Sequence, residues 1–181
     1  MDRFANTNIF LIGMMGSGKS TVGRLLAKKL SLLFIDLDLE IEDGEGLTIA
    51  DIFNKDGAER FRQLESEYLK NVIQHTGQVI ATGGGIILDH DNRQRIISNG
   101  VAILLRCQMK TLSNRLKNIH SRPLLRKEGT TLQTLENIWT ERQEFYHSIA
   151  QIVLDNDLMN PTTAVNKIIK QTKGTHGNNQ G

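Results

Sequence analysis

Residues Gly13 to Thr21 read GMMGSGKST, three glycines and a lysine in nine residues, a poor core and a poor helix. The stretch follows the apolar run Asn8–Ile12 and precedes Val22, Leu25, Leu26 and Leu30, which recur at helical spacing. Gly13 to Ser20 matches G-x-x-x-x-G-K-[ST] at every fixed position, between a strand and a helix as that pattern requires. Glycines let the backbone wrap with its N–H groups turned inward, an anion nest at a helix N-terminus. Gly16, Ser17, Gly18, Lys19, Ser20 and Thr21 are therefore expected to hold a nucleoside triphosphate. Lys19 would face the outer phosphates, Ser20 would offer its hydroxyl to Mg²⁺, and Thr21 would reach the α-phosphate. A glycine-rich turn that merely contains Lys-Ser is the competing reading, and the flanking strand and helix weigh against it. Since the same loop serves kinases, GTPases, motors and switches, it leaves the reaction open.

Apolar runs at Asn8–Ile12, Leu33–Leu37, Gln78–Thr82, Val101–Leu105 and Gln151–Leu154 are predicted strands, several of them without alternation, as in strands covered on both faces. Amphipathic stretches separate them, among them Phe61, Leu64, Tyr68, Leu69 and Val72. Thr48 and Asp51 form a capping pair for a short helix, and Asn160-Pro161 punctuates the start of the last one. The expected class is α/β, a five-stranded parallel sheet flanked by helices. Ligands of such sheets gather beyond the carboxyl ends of the strands, so the tips after Ile12, Leu37, Thr82, Leu105 and Leu154 are where chemistry should lie.

Composition excludes several classes. At 181 residues the chain suits one domain, assigned here to residues 1–172, with a polar, disordered tail at 173–181. A formal charge of +2 suits small anionic ligands and offers no broad basic face for nucleic acid. The start lacks a basic segment and a long apolar stretch, and no run approaches the ~20 apolar residues of a membrane span. One cysteine, Cys107, rules out an internal disulfide and suits a reducing cytoplasm, and its apolar setting makes it a buried, inert thiol. Five scattered histidines give no zinc spacing.

At the second tip, FIDLDLEIE places Asp36 and Asp38 two residues apart. If the strand runs to Asp38, both carboxylates share a side, one for the water shell of Mg²⁺ and one for an acceptor hydroxyl. Taken alone, a solvated acidic turn explains the pair as well. Phosphoryl transfer passes through a loose transition state, so Asp38 is expected to orient the hydroxyl and take its proton late. At the third tip, Gly83, Gly84 and Gly85 carry a large conformational-entropy penalty, accounted for either by close backbone approach to a ligand or by tight strand-to-helix packing. Arg122 falls in HSRPLLRKEGTT, which has the composition of a mobile lid over roughly residues 118–130.

The ordered set GMMGSGKST, FIDLDLEIE, IADIFNKDGAERFRQLE, TGGG, RPLL and ERQEFY resembles the shikimate kinase family over nearly the whole chain, to about residue 170. The resemblance implies an adenylate-kinase-like P-loop fold and transfer of the γ-phosphate of ATP to the 3-hydroxyl of shikimate, a step of chorismate and aromatic amino-acid biosynthesis. It implies that Asp38, Arg62, Gly84 and Arg142 bind shikimate, with both arginines on its carboxylate, Asp38 on its ring hydroxyls and Gly84 offering its N–H. It implies that Asp36 sits behind the Mg²⁺ waters and that Glu65 aims Arg62. Phe53 and Phe61 would wall the pocket, Arg122 would arrive with the lid, and Arg115 and Pro161 would pack the adenine. One departure is Glu144, which stands where the family often has proline after the arginine of ERxPxY. The implied enzyme is a cytoplasmic monomer using ATP and Mg²⁺, with no nucleic-acid or membrane partner. The alternatives are a gluconate-type carbohydrate kinase, a nucleoside monophosphate kinase, and an ATP-dependent switch or RNA-binding protein.

Overall fold

The computed structural model describes residues 6–116 and 131–174. Five parallel strands, β1 (Asn8–Ile12), β2 (Leu33–Asp36), β3 (Gln78–Ala81), β4 (Gly100–Arg106) and β5 (Ile152–Asp155), form one sheet in the order β2-β3-β1-β4-β5. The helices are α1 (Lys19–Leu30), α2 (Leu37–Glu45), α3 (Ile49–Val72), α4 (His90–Asn99), α5 (Met109–Leu116), α6 (Thr131–Ile149) and α7 (Pro161–Gly174). A short 3₁₀ turn, Ile86–Leu88, follows the three glycines. The expected α/β architecture is the one observed.

All five residues of β1 are buried, and so are all four of β3. Their period of two divides them between two cores rather than between core and solvent. Phe10, Ile12, Ile80 and Leu104 pack with Leu69, Ile96, Leu135 and Tyr146, whereas Ile9, Leu11, Val79 and Ile103 pack with Leu26, Ala164 and Ile168. The edge strands read differently, with Leu33 of β2 and Val153 of β5 exposed. Between β1 and its neighbour β3, the chain leaves in opposite directions, toward β2 and toward β4, which opens the crevice where ligands of this architecture bind.

Two local expectations need correction. The second strand ends at Asp36, not Leu37, because the Asp36 side chain accepts from Asp38 N at 3.2 Å and caps α2. Asp38 is thus a first-turn helix residue, and strand alternation does not explain why it lies near Asp36. The cap at Thr48 is present, its hydroxyl accepting from Asp51 N at 3.1 Å, but the helix it opens continues to Val72 across a break at Gly57. The Asn160 cap is as expected, accepting from Thr163 N at 2.8 Å ahead of Pro161.

The break at Gly57 shapes one wall of the site. On an unbroken helix, Phe53 and Phe61 would lie about 12 Å apart along the axis. With Gly57 at φ 82° and ψ 177°, the two arms fold back and the rings meet at 4.8 Å between centroids. A Cβ at Gly57 would meet nothing within 4 Å, so the position needs glycine for its backbone and not for space. Gly57→Ala is therefore expected to lose about 1–3 kcal/mol of stability in urea unfolding through strain alone. An alanine that left stability unchanged or raised it, as in an ordinary helix interior, would contradict this reading.

Candidate active site

The loop after β1 holds its shape through left-handed glycines, Gly16 at φ 77° and Gly18 at φ 96°. Gly18 stands at the N-cap of α1 with no side chain to satisfy the first helical N–H groups. The loop walls a cavity of about 420 Å³, which Gly16, Gly18, Lys19, Ser20 and Thr21 enter from one side. Asp36, Asp38 and Thr82 border it at the ends of the neighbouring strands, and Arg115 and Pro161 close its far end. Ser17 is not among the lining residues. It is fully buried behind the loop, its hydroxyl without a partner among the described residues.

Lys19 does not extend freely into this space. Its ammonium donates to the Gly13 and Met14 carbonyls, both at 2.9 Å, which keeps a positive charge folded over the loop. Arg115 is also held: its guanidinium donates to Gly16 O at 3.3 Å, Asn156 O at 2.8 Å and Asp157 O at 2.9 Å, with Cys107 Sγ at 3.4 Å. Cys107 is buried, and burial pushes its thiol up from the ordinary value, against the nearby Arg115 charge. An inert thiol is what the sequence predicted.

A second, smaller cavity of about 50 Å³ adjoins the first. Phe53, Phe61, Arg62 and Glu65 of α3 line it, together with Gly84 of the glycine run and Arg142 of α6. Asp38 lines both cavities. Arg62 pairs with Glu65 one helical turn away and lies over the Phe61 ring at 5.4 Å. Arg142 is only 6% exposed, donates to Gly84 O at 3.1 Å, and has a buried Nε–H with no partner among the described residues. No carboxylate pairs with Arg142 among those residues. The Glu65 charge offsets that burial from a distance, and a ligand anion in direct contact would offset it further.

Two of the three glycines, Gly83 and Gly85, owe their identity to this charge cluster. A Cβ at Gly83 would collide with Glu65 Oε1, and one at Gly85 with the Arg62 guanidinium. None of the three has positive φ, so close packing, not a strained turn, accounts for Gly83 and Gly85, whereas a Cβ at Gly84 would make only ordinary contact with the backbone of Gly13 to Met15. Gly84 directs its carbonyl inward, where the Tyr146 hydroxyl donates at 2.5 Å beside Arg142. Tyr146 is fully buried, and burial pushes its hydroxyl above the ordinary range, so it remains a donor. The sequence pointed to the tip that carries Gly84 but not to Tyr146. Asn156, which lines the larger cavity, lies just past β5 at a tip the sequence marked without naming the residue.

Arg122 and the segment 118–130 lie outside the described residues, as do 175–181 of the expected tail. Among the described residues, no helix is long and apolar enough to cross a membrane.

A parallel sheet of this order, a phosphate-type loop after its central strand and a second cavity joined to it by one aspartate define a P-loop kinase for a small acceptor. The comparisons carry the class to a family. The sequence profile of shikimate kinase matches residues 15–173. A shikimate kinase of a Sulfurihydrogenibium species is 37% identical over 92% of this chain and 98% of its own. That of Thermodesulfovibrio yellowstonii is 40% identical over 91% of this chain and 94% of its own. A solved structure, shikimate kinase from Acinetobacter baumannii in complex with shikimate, superposes with a TM-score of 0.92 at 31% identity, covering 97% of this chain and 96% of that one. The chain belongs to the shikimate kinase family.

Glu65 gives the site a titration signature. Burial outweighs the Arg62 charge and pushes its carboxyl from 4.5 up to about 7. Between those two values the folded chain holds a proton that the unfolded chain has released, so stability falls as pH rises through that window. Urea unfolding from pH 5 to 7.5 should show this decline in the wild type and a flatter profile in Glu65→Gln. Parallel profiles would contradict the assignment.

Proposed function

We propose that this chain transfers the γ-phosphoryl group of ATP to the 3-hydroxyl of shikimate, releasing ADP and shikimate 3-phosphate. The carrying observation is that Asp38 borders both the loop cavity and the arginine cavity, an arrangement that lets one carboxylate meet an acceptor hydroxyl at a triphosphate. Family membership supports the choice of acceptor, and a hydroxylated ring acid matches two arginines facing walls of Phe53 and Phe61.

In this reading, the Gly16–Thr21 backbone cradles the phosphates at the N-terminus of α1, where unsatisfied N–H groups and the helix dipole favour an anion. Lys19 exchanges its loop carbonyls for the outer phosphates and offsets charge on the group in flight. The adenine packs between Pro161 and the Arg115 guanidinium, whose plane is already set by its carbonyl partners. A magnesium ion fits the donor set, since Ser20 and Asp36 bring hard oxygens to the same cavity. Ser20 and Asp36 would hold it, and when bound it screens the phosphate charge.

Arg62 and Arg142 take the substrate carboxylate, and Glu65 keeps Arg62 aimed while Gly84 borders the ring. Asp38 accepts a hydrogen bond from the 3-hydroxyl and directs its oxygen at the γ-phosphorus. The new P–O bond forms as the bond to the β-phosphate oxygen breaks, and the hydroxyl proton passes to Asp38 late, when the oxygen has become acidic. The proposal places this enzyme in the cytoplasm as a monomer, because the lone cysteine suits a reducing compartment and one chain builds both cavities.

ADP release with Mg-ATP and each of shikimate, gluconate and AMP tests the acceptor. Shikimate should accelerate turnover, and acceleration by gluconate or AMP without shikimate would overturn the proposal. In the same assay Arg142→Ala should weaken shikimate binding by about 2–5 kcal/mol and ATP binding far less. An equal loss for both ligands would count against the clamp.

A further inference from the structure

Two successive carbonyls of the phosphate loop are held from outside the loop. Arg115 of α5 donates to Gly16 O at 3.3 Å, and the Asn156 side chain donates Nδ2 to Ser17 O at 2.8 Å. Asn156 is anchored in turn: its backbone N–H donates to Arg106 O at 2.8 Å, and its carbonyl accepts from Arg115 at 2.8 Å. The loop therefore rests on a rigid unit built from the ends of β4 and β5 and from α5.

The peptide plane gives this contact its consequence. In a trans peptide the carbonyl of one residue and the N–H of the next point in opposite directions. Holding Ser17 O against Asn156 turns the Gly18 N–H to the opposite face. Gly18 cannot hold that plane by itself, since glycine takes either sign of φ at little cost and the 17–18 peptide could flip. Space is close as well, for a Cβ at Gly18 would stand 3.1 Å from Asn156 Nδ2. Asn156 also bears a cost for its place: it is 4% exposed, and its Oδ1 is buried without a partner among the described residues. A residue kept only for packing would not need an amide there.

We infer that Asn156 is a positioning residue for the nucleotide, which pins the Ser17 carbonyl so that the Gly18 N–H stays turned toward the phosphates. The inference rests on the reading that this loop holds the triphosphate, and it adds a contact from β5, 139 residues away in sequence, to what keeps the loop competent.

Calorimetric titration of the full chain with ATP alone and with shikimate alone tests it, using the wild type, Asn156→Ala and Asn156→Asp, with thermal midpoints measured alongside. Asn156→Ala should raise the ATP dissociation constant about tenfold, while that for shikimate stays within about twofold. Asn156→Asp keeps the volume but sets a carboxylate oxygen against Ser17 O, and its thermal midpoint shows whether the fold is retained. Its loss of ATP affinity should be at least as large as that of Asn156→Ala, because a carboxylate has no N–H to donate to the Ser17 carbonyl. An unchanged ATP affinity in either variant, or an equal loss for both ligands, would overturn the inference. A wild-type chain that bound shikimate but no ATP would instead overturn the reading of the loop.

Discussion

The site depends on where β1 ends. That strand lies in the middle of the sheet with β3 and β4 on either side, and its five residues are buried. The chain must reverse there into α1 through backbone conformations that Gly16 and Gly18 supply. A side chain at Gly13 would also meet the Leu105 carbonyl at 2.6 Å. The loop's backbone groups are thus committed to one shape, with some carbonyls tied to Lys19, Arg115 and Asn156. What the loop offers on its open side is an electropositive cradle at a helix start.

The second cavity follows a different physical rule. It gathers two guanidinium groups and two carboxylates in a space too small to hydrate them fully, and the charges are matched unevenly. Arg62 pairs directly with Glu65, whereas Arg142 has carbonyl and hydroxyl neighbours, feels the Glu65 charge from farther off, and has no direct carboxylate partner among the described residues. A ligand carboxylate completes that balance, and Glu65, pushed up to about 7, can keep a proton when a further negative charge arrives. The glycine run lets this cluster sit against the β3 tip, and Tyr146 secures the run through the Gly84 carbonyl it shares with Arg142. Asp38 sits where the two cavities meet, so binding and transfer share one residue.

Local signals were legible in the sequence, and long-range ones were not. The bounds of β1, the Thr48 and Asn160 caps and the phosphate loop all follow from residues within a few positions of one another. For Asp38 only the local argument fails: alternation would set it beside Asp36 if the strand ran that far, whereas a helix turn does so. The three glycines left two explanations open, because the side chains that fill the space at Gly83 and Gly85, Glu65 and Arg62, come from another element. Tyr146 bonds a carbonyl 62 residues away, and nothing in ERQEFY indicates that distance. Asn156 has the same difficulty, since only the folded sheet brings the end of β5 to the loop.

A crystal structure of the chain with shikimate and ADP bound tests the central claim most directly, because it locates both ligands at once. The acid's carboxylate should lie between Arg62 and Arg142, with a ring hydroxyl on Asp38 facing the diphosphate in the loop. Shikimate lodged elsewhere, with both arginines turned to solvent, would contradict it.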